Sequence, residues 1–142
     1  MKLKYLILII ILFSSCIKFS PKLPPEPEAY VDFVVFKSSI NEFLQKVYND
    51  KIVSKDLKND NKFNNKIYFI IKLNNINKSH KLTIKWYLDN KLFKANNNIS
   101  INKKNLNLEY VIVWDFIEKT NNKVEVITLL DNKLLTINKT HN

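Results

Sequence analysis

The sequence predicts an antiparallel β-sandwich carrying one short helix near its start. Six or seven short apolar runs with a period of two occupy the second half of the chain. Asp-Asn dipeptides separate consecutive runs at hairpin spacing. Only one stretch has a helical period. A mixed α+β sheet is the alternative architecture, because the helix stands early among the strands.

Val31-Asp-Phe-Val-Val-Phe36 reads as the first strand. Ser39-Ile-Asn-Glu42 then has the form of a capping box, a Ser able to accept an orphan N–H with Glu three residues on. Ile40, Phe43, Leu44, Val47 and Tyr48 follow on one helical face, and the helix is expected to end near Asp50. Asp56 to Asn65 is polar and turn-prone, so it is expected to be an exposed loop. Ile67, Phe69, Ile71 and Leu73 share one side of the next strand. In Lys81 to Leu88 the pattern places Leu82, Ile84, Trp86 and Leu88 inside and Thr83, Lys85 and Tyr87 outside.

The turn Asp89-Asn90 leads to Lys91-Leu92-Phe93, and Ile99-Ser-Ile101 reads as a separate short strand. Leu108 to Ile117 is apolar on both sides and is expected to be central in its sheet. Val124 to Leu130, the turn Asp131-Asn132 and Leu134 to Ile137 make a last hairpin. Leu-Asp-Asn-Lys-Leu thus occurs twice, at 88–92 and 130–134, and reads as recurring hairpin chemistry.

The chain contains no glycine. A phosphate-binding Gly-rich loop, a dinucleotide fingerprint and a nucleophile elbow all need glycine for positive φ or close backbone approach. None can be present in its usual form. Positive-φ turn positions fall instead to Asn and Asp. The formal charge is +10, and every basic residue is Lys. Without the planar fork of Arg, bidentate phosphate or carboxylate recognition is disfavoured.

Met1-Lys-Leu-Lys4 is a basic start, Tyr5 to Phe13 an apolar run, and Ser14-Ser15-Cys16 follows. This is the three-part form of an export signal, with an apolar run far short of the roughly 20 residues that span a bilayer. Phe13-Ser14-Ser15-Cys16 resembles the lipobox of bacterial lipoproteins. The resemblance implies cleavage between Ser15 and Cys16, a diacylglyceryl thioether on Cys16, and acylation of its new amine. It also implies outward sorting, since Ile17 rather than Asp stands second. Cys16 is the only cysteine, so the mature domain has no disulfide and no thiolate site. Residues 1–15 are therefore expected as signal peptide, 16–29 as lipidated tether and 30–142 as the domain. Ser20 to Glu28 holds all four prolines. It is expected to be an extended spacer of roughly 3.1 Å per residue.

Lys85-Trp-Tyr-Leu-Asp-Asn-Lys-Leu-Phe93 is similar to the Trp strand and hairpin of immunoglobulin-like domains, which implies an immunoglobulin-like sandwich. Chemistry is sparse. His80 and His141 have no metal-ligand spacing between them, so no metal and no cofactor are expected. Glu109 and Asp115 share a side of one strand but stand roughly 20 Å apart at strand rise, too far to act as a pair. Asp32 is the least explained carboxylate and names no reaction. Trp86 and Trp114 fall on the apolar side of their strands and are expected in the core. Tyr87 and Tyr68 remain as exposed aromatics for a binding surface. No catalytic residue is expected.

The sequence thus points to a non-enzymatic lipoprotein of the cell envelope, at the outer membrane or cell surface. It would be held to a membrane through Cys16 and bind another envelope protein, not nucleic acid. The second reading is a glycan or wall-polymer module using Tyr87 and surface lysines.

Overall fold

The computed structural model describes residues 28–105 and 110–140. Ser15, Cys16 and the spacer up to residue 27 lie outside the described residues, as do Glu109 and His141. The described chain forms β1 (Tyr30–Lys37), α1 (Asn41–Tyr48), β2 (Lys66–Asn74), β3 (His80–Leu88), β4 (Lys91–Ile101), β5 (Tyr110–Glu118), β6 (Val124–Leu130) and β7 (Lys133–Thr140). Two sheets result, one ordered β1-β2-β5 and one ordered β4-β3-β6-β7. Every pairing is antiparallel, which removes the mixed-sheet alternative.

Alternation decides what lies between the sheets. Ile67, Phe69, Ile71 and Leu73 of β2 face Leu82, Ile84 and Trp86 of β3 in one continuous core. Trp86 is fully buried and meets Phe36 and Phe69 edge-on, with ring centroids 6.4 and 6.1 Å apart. Such aromatic packing contributes about 0.5–1.5 kcal/mol per pair beyond area burial.

β5 corrects two expectations. It is an edge strand, paired with β2 alone. Its inner residues are Val111, Val113, Asp115 and Ile117, so Trp114 faces outward and is 45% exposed, not in the core. The strand is apolar on both sides for a different reason: the outer face of its sheet is partly roofed by α1. Phe43, Val47 and Ile40 pack there on Val35 and Ile70, with Ile112 beside them.

Asp115 is the one buried carboxylate among the described residues. Its Oδ2 accepts the Trp86 indole N–H at 2.9 Å. Its Oδ1 accepts the Lys94 ammonium at 2.6 Å and the Phe116 amide at 2.9 Å. One carboxylate thereby ties β5 in one sheet to β3 and β4 in the other.

The helix differs from expectation at both ends. Ser39 makes no cap; Ile40 stands at the N-cap in near-helical backbone, with no side-chain hydrogen bond. Ser38 instead donates its amide and hydroxyl to Asp60, both at 2.7 Å, binding the following loop to the end of β1. Tyr48 is exposed, since Asn49 already leaves the helix. The loop itself is less exposed than its polarity suggests, because Phe63 is buried in the main core.

Ile99–Ile101 is not a separate strand. It continues β4, which runs through Asn96-Asn-Asn98 with Asn98 at φ 61°. Asp32, unexplained by sequence, sits at a bulge in β1 and pairs with Lys72 at 2.8 Å.

The hairpin turns form as their residues dictate. Asp89 and Asn90 take φ of 47° and 66°, Asp131 and Asn132 of 51° and 65°. Positive φ at both centres is the type I′ signature, adopted here without glycine.

Asp115→Ala should destabilise the domain by about 3 kcal/mol, because the Trp86 N–H and the Lys94 ammonium both lose their partner. Asp115→Asn, which keeps an acceptor for Trp86, should cost roughly half as much. Urea unfolding monitored by tryptophan fluorescence checks the order; equal stability of the three proteins would remove the bridge from the account.

Candidate functional site

The sandwich has two outer faces, and each carries one of the tyrosines singled out from sequence. Tyr68 lies on the outer face of β1-β2-β5 and Tyr87 on the outer face of β4-β3-β6-β7. They therefore belong to separate surfaces. Both are half-buried.

Around Tyr68 the surface is aromatic. Phe116 is its direct partner across β2 and β5, with centroids 5.6 Å apart. Trp114 follows at 6.2 Å. The planes are inclined at 44° and 62°, so the three rings form a twisted shelf. The Lys66 ammonium stands 4.1 Å from the Phe116 centroid, within cation–π range. Next to Tyr68 a shallow pocket of about 330 Å³ is lined by Ser38, Asn64, Asn65 and Lys66. An exposed Trp forgoes roughly 1.5–3 kcal/mol of burial, on the scale for large side chains.

On the outer face that carries Tyr87, β6 and β7 are largely aliphatic and β3 is basic. Ile127 of β6 pairs with Ile137 of β7, and Leu129 with Leu134. Leu134 is 61% exposed, Ile137 50%, and Leu92, opposite Tyr87 on β4, 56%. Glu125 is held by Lys139 at 2.8 Å. Lys81 and Lys85 of β3, on the same face, have no ion-pair partner among the described residues. No helix covers this face.

A third place gathers titratable groups. His80 is buried at the start of β3, and its Nδ1 lies 2.8 Å from Asp131 Oδ2. Glu28, Lys78 and Lys133 join them around a cavity of about 300 Å³. A catalytic base needs an accessible nitrogen. His80 Nε2 is enclosed and has no hydrogen-bond partner, so the pair cannot relay a proton to a substrate in this arrangement. Its geometry instead fastens the β6–β7 turn to β3, because Asp131 Oδ1 also accepts the Lys81 amide at 2.9 Å. Among the described residues no three His, Cys, Asp or Glu side chains are grouped to hold a metal ion. No helix there is long and apolar enough to cross a membrane.

Sequence reasoning expected Tyr68 and Tyr87 as exposed aromatics, whereas both are half-buried, and it placed Trp114 in the core and passed over Phe116 and Lys66. The available signal was Asp115: a carboxylate facing inward puts both of its neighbours outside.

The amide of Lys81 and the hydrogen bond from His80 hold the Asp131 carboxyl below its ordinary value of 3.8. The folded state therefore binds this proton less tightly than the unfolded one. The stabilisation is present above the ordinary value and is lost as pH falls through the depressed one. Asp131→Asn should lower the urea midpoint at pH 6 and flatten its decline between pH 5 and 2. Parallel wild-type and variant curves would refute that role. No protein-family model matches the chain and no curated protein is significantly similar to it, so a functional reading rests on these faces and on residues 1–16.

Proposed function

We propose that the chain is a lipid-anchored protein of the cell envelope whose immunoglobulin-like sandwich binds another envelope or surface protein. The binding surface is the outer face of β4-β3-β6-β7. The observation that carries this reading is the aliphatic strip Leu134, Ile137, Leu129 and Ile127 across β6 and β7, which none of the described elements covers. Contiguous apolar surface on a folded domain marks a place where something else binds.

The strip and its rim describe the partner. An apolar centre with charge at its edge is the usual anatomy of a protein interface. Lys81 and Lys85 on β3 make the border of the strip positive, so the partner carries an apolar patch bordered by Asp and Glu. A second copy fits poorly, because its rim would oppose lysine to lysine.

The immunoglobulin-like assignment is supported by strand order and by one residue. The first, second and fifth strands form one sheet, and the third, fourth, sixth and seventh the other. Trp86 sits at the centre of the core on β3, as the Trp strand of such domains requires. The missing cysteine pair is replaced in this reading by the Trp86–Asp115 bond between sheets. Export and anchoring rest on the lipobox-like Phe13-Ser14-Ser15-Cys16. Two or three acyl chains on Cys16 would hold the domain stably, since each buried methylene contributes about 0.8 kcal/mol.

Two measurements test these parts separately. Intact-mass analysis from the native host should give a chain beginning at Cys16 with a diacylglyceryl adduct; an unmodified thiol there would sink the anchor. A photo-crosslinking residue in place of Lys85, which lies opposite Ile127 on the same face, should capture one protein in the intact envelope. Leu134→Lys with Ile137→Lys should cut that capture at least tenfold, as loss of central contacts does. Stability should change by only about 0.5 kcal/mol, because both side chains are exposed. Capture of wall polymer alone would overturn the protein-partner reading.

A further inference from the structure

We infer that Tyr68, Trp114, Phe116 and Lys66 form a binding site for an anionic polysaccharide, on the face opposite the proposed protein-binding surface. The inference stands independently of that partner, because no residue is shared between the two faces.

A pyranose ring has a C–H face and a polar edge. The face packs on aromatic rings, and the hydroxyl edge needs donors and acceptors close by. This face of the sheet offers both. Phe116 and Trp114 of β5 cluster with Tyr68 of β2, whose ring centroid lies 5.6 and 6.2 Å from theirs, of the order of one sugar ring. The pocket beside Tyr68 is walled by a hydroxyl from Ser38 and by the amides of Asn64 and Asn65. At about 330 Å³ it is at the small end of ligand sites. It suits one residue of a chain that continues over the shelf.

The inclination of the rings sorts the kind of glycan. Planes at 44° and 62° cannot lie together on a flat crystalline surface. They can follow a single twisted chain in solution. Lys66 sorts the charge. Its ammonium lies over Phe116 and has no carboxylate partner among the described residues. A cation held beside an aromatic shelf and a polar pocket selects a sugar bearing carboxylate or phosphate. The alternative occupant, an apolar protein segment, would leave Lys66 and the two amides without partners, at a desolvation cost.

The test is isothermal titration of the full-length chain in detergent with oligogalacturonate, a carboxylated pyranose chain. A neutral dextran oligomer and poly-L-glutamate of equal length serve as the comparison ligands. Oligogalacturonate should bind more tightly than either. Trp114→Ala should weaken binding roughly tenfold, as truncation of a central aromatic contact does, with the far-ultraviolet spectrum unchanged because Trp114 is exposed. Lys66→Gln should weaken oligogalacturonate binding and remove most of its salt dependence, leaving dextran binding as it was. Equal binding of poly-L-glutamate would reduce the effect to net charge and overturn the proposal. So would affinity unaltered by Trp114→Ala, or no heat of binding with oligogalacturonate at millimolar concentration.

Discussion

One hydrogen bond between the sheets sets much of what this domain presents to its surroundings. Trp86 on β3 donates to Asp115 on β5, from one sheet to the other. A buried carboxylate is tolerated only when its acceptor positions are filled. Here an indole, an ammonium and a backbone amide fill them. With Asp115 turned inward, the period of two turns Trp114 and Phe116 outward. A slip of one residue would put two large rings into the space of a carboxylate and leave the Trp86 N–H unpaired. The polar bond in the core and the aromatic shelf on the surface are therefore one decision about β5.

The two outer faces differ because only one has a cover. α1 follows β1 directly and lies back over its own sheet, where Phe43 meets Phe33 edge-on at 5.9 Å. Eight residues of helix are too short to cover three strands. The roof reaches Tyr68, which packs against its cluster, and ends before Trp114 and Phe116. Over the other sheet the described residues form no such element, and among them its aliphatic strip stays bare across two strands. Asp60 secures the roof from the side. Burial would raise its carboxyl, but hydrogen bonds from Ser38 and the neighbouring Lys37 outweigh that and hold it below the ordinary range.

β2 and β3 were legible in the sequence because their alternation is clean and one side of each is wholly apolar. The hairpins were legible because, in a chain without glycine, Asp-Asn can do little else. β5 was not. It is apolar at nearly every position, so the only clue to its facing was a polar residue, and the ordinary rule that charge points to water gives the wrong answer for Asp115. The same inversion hid the shelf, since Trp114 is exposed only because its neighbour is not. Ser39 misled for a related reason: its capping partner was present locally, but Ser38 found Asp60, 22 residues away. Tertiary bonds of that span leave no local pattern. The proposed anchor rests wholly on residues 1–16, which lie outside the described residues.

The repeated Leu-Asp-Asn-Lys-Leu follows from the same physics. β3 and β6 are antiparallel neighbours, so the turns after them lie at opposite ends of one strand pair. At one end the Asp89 amide donates to the Lys123 carbonyl and Asp89 Oδ1 accepts the Lys123 amide, both at 3.0 Å. At the other, Asp131 does the same with Lys81, at 2.8 and 2.9 Å. Each turn fastens the start of the neighbouring strand. Asn in the first position would tolerate the positive φ equally well, but its single side-chain oxygen is a weaker acceptor than a carboxylate. Asp is thus selected twice, by backbone conformation and by the amide opposite, and antiparallel pairing imposes both demands at both ends. A duplicated ancestor is unnecessary to explain the repeat. At Asp131 the second carboxylate oxygen goes on to hold His80, and that extra bond, absent at Asp89, is where the two ends of the strand pair cease to be equivalent.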